Sequence, residues 1–141
     1  MKKLILLPFI ILAISCNCKK DVVYVQKTGD FFEVLKEESY QGKEQKSYDV
    51  IKNEASLKAL YQSINDENIP KIDFSKQRVV ALFLGQRNSG GFAIKVKEVS
   101  EKNNKTYITV DETKPEGMAT MAITNPYTIV KINSTNEIIF K

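Results

Sequence analysis

Residues 79–84 form an unbroken apolar run, Val79-Val80-Ala81-Leu82-Phe83-Leu84. Six apolar positions, rich in β-branched and aromatic side chains and ended by a glycine, predict a strand buried on both faces. Gly85-Gln86-Arg87-Asn88-Ser89-Gly90-Gly91 then reads as a turn, and from Phe92 the polarity alternates. Phe92, Ile94 and Val96 fall on one face of a strand, Lys95 and Lys97 on the other. The two strands are expected to pair as a β-hairpin at the centre of a sheet.

The rest of the chain arranges itself around that centre. Half-polar stretches at 31–41 and 46–52 read as strands around a turn at 42–45, each with one wet face. One helix is predicted over 54–64. Asn53 is a favoured N-cap, Glu54 complements the helix dipole, and Leu57, Leu60, Tyr61 and Ile64 recur at helical spacing. That stripe should pack on the sheet, and Asn65 and Asp66 should end the helix.

Beyond the centre, Asn103-Asn104 suits a turn with positive φ, and 106–111 is the next strand. A loop fills 114–125. Pro126 opens a strand over 127–132, where its missing N–H does no harm, and 137–140 closes the chain as a short strand. The expected fold class is α+β: a mainly antiparallel sheet, sandwich- or barrel-like, with one covering helix near residues 54–64.

The first residues carry an address. Lys2 and Lys3 precede a short apolar segment from Leu4 to Ile14, interrupted by Pro8 and followed by small Ser15. It is too short to span a hydrocarbon core, which takes about 20 helical residues, and reads as a signal peptide. Ala13-Ile14-Ser15-Cys16 resembles the lipobox of bacterial lipoproteins. The resemblance implies cleavage before Cys16, diacylglycerol on its thiol and usually acylation of the new amino terminus. Asn17 lacks the acidic side chain that retains such proteins at the inner membrane, which points to the bacterial outer membrane on an undetermined face.

The expected organisation is a signal peptide at 1–15, a lipid anchor and tether at 16–30, and a single β-rich domain at 31–141. Cys18 is left as an unpaired thiol or a site of intermolecular disulfide formation. Val22-Val23-Tyr24-Val25 either belongs to the tether or docks as an edge strand.

Composition removes whole classes of function. The net charge is +4, half of it from Lys2 and Lys3, and no basic cluster with interleaved aromatics suggests nucleic acid. With no histidine in the chain, Ser-His-Asp and Cys-His catalysis and the usual zinc and non-haem iron sites are absent. The glycines at 85–91 lack the Gly-Lys-Ser/Thr ending of a phosphate loop, and a strand follows them instead of a helix. Asp111-Glu112 and Glu37-Glu38 are adjacent on strands and point to opposite faces, while Asp66-Glu67 sits in a turn. The chain reads as a non-catalytic protein without metal or cofactor.

Three groups of residues then resemble a known family: Val79 to Gly85, Ser89-Gly90-Gly91-Phe92, and Asn125-Pro126-Tyr127 with Val130. In this order they look like the C-terminal domain of the protease-complex subunit PrcB and its relatives among envelope lipoproteins. The resemblance covers roughly residues 73–132 and departs at Asn88-Ser89, where the family has Thr or Pro-Thr before the double glycine. It implies association with, and stabilisation of, a secreted protease, and brings no catalytic residues. The expected function is that of a lipid-anchored envelope protein binding another envelope or secreted protein.

The candidate binding surface joins the loops 86–91 and 116–125 through Arg87, Ser89, Gly90, Gly91, Met118, Met121 and Tyr127. The two methionines read first as gap-fillers beneath their loop, with contact to a partner as the sharper alternative. Two alternatives remain: protease inhibition through the same loops, and a structural lipoprotein binding glycan or lipid. The absence of Trp gives glycan stacking little support.

Overall fold

Alternation along the apolar run divides the interior in two. Val79, Ala81 and Phe83 enter one core, and Val80, Leu82 and Leu84 enter another on the opposite face. A computed structural model describes residues 24–26 and 31–141; the expected signal segment, Cys16, Cys18 and most of the tether lie outside the described residues. In chain order the elements are β1 (Tyr24–Gln26), β2 (Phe32–Glu38), β3 (Ser47–Ile51), α1 (Glu54–Ser63), β4 (Arg78–Phe83), β5 (Ala93–Lys102), β6 (Lys105–Thr113), β7 (Tyr127–Ile132) and β8 (Glu137–Phe140). They build an α+β fold of three layers: the helix, a sheet ordered β2-β7-β4-β3, and a second sheet ordered β1-β5-β6-β8. Each sheet keeps two edges, so no barrel closes.

The pairing corrects two expectations. The strands on either side of Gly85–Gly91 do not form a hairpin; they lie in different sheets, and the connection crosses between layers. β4 has no free side, because β3 and β7 flank it in antiparallel register. Likewise β2 and β3 are not a hairpin but opposite edges of one sheet, separated by β7 and β4. The long hairpin is β5–β6, closed by Asn103 and Asn104 at φ 52° and 57°. Two successive left-handed residues match the twist of the flanking strands.

A bulge between Val96 and Glu98 shifts the alternation of β5 by one residue. Ile94, Val96 and Val99 can therefore all face the second core despite their mixed parity. Within that sheet β8 runs parallel to β6, against otherwise antiparallel partners. β1 is an edge strand on β5, so part of the apolar patch at 22–25 is docked.

The helix forms as its sequence predicts. The Asn53 side chain accepts from the Ser56 N–H at 2.8 Å, and Asn65 leaves the helix at φ 52°. Leu57, Leu60, Tyr61 and Ile64 pack on Val79, Ala81, Phe83, Tyr127 and Ile129.

Past its end, Asp66 meets Lys36 of β2, Nζ to Oδ2 at 2.5 Å, so an ion pair latches the helix to an edge strand. The Lys36 ammonium, then the Asn68 backbone N–H, hold the Asp66 carboxyl below the usual range, and the same pairing raises Lys36. The lowered carboxyl contributes stability above its unfolded pKa of about 3.9 and loses it as pH falls through the folded value. The raised ammonium contributes fully below about 10.4 and loses it as pH rises through its folded value. Asp66→Asn should therefore lower the urea midpoint at pH 7, with the gap to the parent closing below about pH 4. A gap unchanged at pH 2 would show that the ion pair is not its cause.

Candidate functional site

The two loops chosen from sequence are brought together. At the end of β4, Gly85 turns out of the sheet at φ 81°, where a Cβ would sit 2.9 Å from the Lys46 nitrogen. Two residues on, Arg87 and Thr124 exchange backbone hydrogen bonds, N to O at 2.7 and 2.9 Å, as an antiparallel bridge. The Gly90 N–H donates to the Thr120 carbonyl at 3.0 Å, and the buried Thr124 hydroxyl donates to the Ser89 carbonyl at 2.9 Å. Gly91, at φ 83°, lies against Pro115.

On the other side, Asn125 N–H donates to Ser39 O at 2.8 Å and Gly42 N–H to Asn125 O at 2.9 Å. Residues 120–125 are thus held between two neighbours, which gives an irregular segment a fixed frame.

That frame displays apolar side chains. Met118 and Met121 are fully exposed, and Ile123 and Tyr40 are each 64% exposed. The methionines fill no gap beneath the loop. Isolated exposed apolar residues need no explanation, but four carried on or beside hydrogen-bonded neighbouring segments make a candidate interaction patch.

Beside the patch runs a groove lined by Leu84, Arg87, Phe92, Glu112, Thr113 and Lys114. The Arg87 guanidinium lies over the Phe92 ring, 5.7 Å from its centre, and donates to the Gln86 carbonyl at 3.2 Å. Glu112 ion-pairs with Lys46 and accepts from the Tyr48 hydroxyl at 3.1 Å. Lys46, with help from Tyr48 and Arg87, keeps the Glu112 carboxyl below its ordinary range.

The structure separates the sequence candidates. Arg87 and Ser89 are half-buried, Gly91, Met118 and Met121 are exposed, and Gly90 is buried under Thr120. Tyr127 requires correction as a contact residue. It is 1% exposed, and its ring stacks on Phe83 with centres 5.7 Å apart, so it supports the loops from beneath. An aromatic at the start of a central strand faces a core, and burial pushes its hydroxyl pKa up. Sequence reasoning missed Tyr40 and Ile123 on the patch, Phe92, Glu112 and Lys114 in the groove, and Thr120 and Thr124 as fasteners. Ile123, a large apolar residue two positions after Met121 in the same loop, carried a legible signal; the threonines carried none. Among the described residues no group of three or more Asp, Glu, His or Cys side chains could hold a metal ion.

Comparison with known proteins adds one finding. Residues 78–133 match the family model PrcB C-terminal. The match begins with β4 and ends just after β7, so it contains both inner strands of the first sheet, the β5–β6 hairpin and both loops. No curated protein and no solved structure gives a significant match.

Proposed function

We propose, taking residues 78–133 as a PrcB C-terminal segment, that this chain is a non-catalytic accessory protein that associates with and stabilises a protease of the cell envelope. The match is the observation that carries the reading, since the PrcB family is one of protease-complex subunits. Docking is through the tied loops, where Met118, Met121, Ile123 and Tyr40 offer adaptable apolar contacts on a frame organised in advance. Cys16 supplies the anchor. Each buried methylene of a lipid contributes about 0.8 kcal/mol, so two or three chains hold the protein at the outer membrane while one would not.

The test is a crosslinking pull-down of the tagged, full-length chain from its own envelope, with captured proteins identified by mass spectrometry. One dominant protease is the expected result. Recovery of only abundant envelope proteins would end the protease reading. Met118→Ser combined with Met121→Ser should lower capture by about tenfold or more, with an unchanged melting temperature, because interface apolar anchors contribute roughly 1–2 kcal/mol each. Adding purified chain to the captured protease separates a stabiliser, which prolongs activity, from an inhibitor, which slows it.

A further inference from the structure

We propose that the groove beside Arg87 captures the C-terminal carboxylate of a partner polypeptide whose last residue is apolar. This deepens the reading above, on which this end of the fold docks a protein. A guanidinium has five N–H donors in a planar fork, and that of Arg87 spends one on the Gln86 carbonyl at 3.2 Å. Its central carbon sits 5.7 Å from the centre of the Phe92 ring, so the charge is held beside an apolar surface.

The acid on the groove wall acts on Arg87 only at a distance, since its direct contacts lie elsewhere. Glu112 is occupied by the Lys46 ammonium and the Tyr48 hydroxyl. Lys114, on the rim, has no ion-pair partner among the described residues. With Glu112 paired to Lys46, the groove is left positive through Arg87 and Lys114, and its apolar floor is Leu84 and Phe92.

A carboxylate next to an apolar side chain complements both features. The cavity, about 390 Å³, is at the small end of ligand pockets, which span roughly 300–1,000 Å³. A chain end carries its carboxylate and last side chain on the same Cα, so one residue reaches both cation and floor. An internal Asp or Glu would have to bring backbone in from both sides. Carboxylate capture at chain ends is a recurring mode of peptide recognition, and a forked guanidinium suits it geometrically.

The experiment titrates the full isotope-labelled chain with the peptide acetyl-Gly-Ala-Leu-Leu-Phe, as free acid and as C-terminal amide, reading Arg87 Nε–H and backbone amide resonances. Saturable shifts at Arg87, Phe92, Thr113 and Lys114 with the free acid, about tenfold weaker with the amide, are expected. Arg87→Gln should weaken the free acid to the level of the amide while other resonances stay in place. Equal binding of acid and amide, absence of saturable shifts, or equally tight binding of acetyl-Leu-Glu-Leu-amide would overturn the assignment. Peptide binding is read without any partner, so the pull-down can fail while the groove stands, and the reverse.

Discussion

Phe83→Ala should destabilise the fold by about 3–5 kcal/mol, out of the roughly 5–15 kcal/mol typical of a domain. The ring is fully buried in the helix-side core, its face is stacked with Tyr127, and the Lys43 ammonium lies 4.6 Å from its centre. Truncation removes the largest apolar group of β4 from beneath α1. The cavity cannot collapse easily, because β4 is pinned on both sides by β3 and β7. Denaturant unfolding is the measurement: the midpoint should fall with the slope unchanged. A loss below about 1 kcal/mol would mean that the helix settles into the space and that Phe83 does not hold the layers apart.

Gly85→Val should cost about 2–4 kcal/mol, from the sum of backbone strain and crowding. At φ 81° a β-branched residue is strained, and its Cβ would also meet backbone, 2.9 Å from Lys46 N and 3.1 Å from Glu44 O. Neither atom belongs to a flexible side chain that could swing away. Gly117 supplies the control, since it has φ 88° and open space, with nothing within 4 Å of the position a Cβ would take. Gly117→Val should show the strain alone, about 1–2 kcal/mol. Equal losses at the two positions would remove crowding from the explanation. Hydrogen exchange at the Arg87 and Thr124 amides would show whether the loop frame loosens in step with the Gly85 loss.

What could be read from the chain was local. Asn53, the apolar stripe and Asn65 specify the helix without reference to anything distant, and Asn103-Asn104 specifies its own turn. The doubly buried character of 79–84 was legible because an apolar run has no wet face. Partner choice was not legible. Gly85 to Gly91 has the composition of a hairpin turn, yet its course is set by the Arg87–Thr124 bridge to a residue 37 positions away. Tyr127 was misplaced for the same reason, since only the pairing of β7 between β2 and β4 makes its position central. The loops were chosen correctly as neighbours, while the groove beside them depends on Glu112 and Lys114 arriving from the end of β6.

The pairing of β2 with β7 also governs the order in which the molecule can assemble. Phe32 lies opposite Ile132, 100 residues later, so one of the earliest described strands finds its only sheet neighbour among the described residues late in the sequence. During synthesis, β2 stays an unsatisfied edge until β7 arrives. Closing so long a loop before any contact rewards it makes slow, millisecond-to-second folding the expectation. β7 also separates β2 from β4, so losing it would release β2 and leave β4 paired with β3 alone. The strand of this sheet that is made first is held in place by the one that is made last.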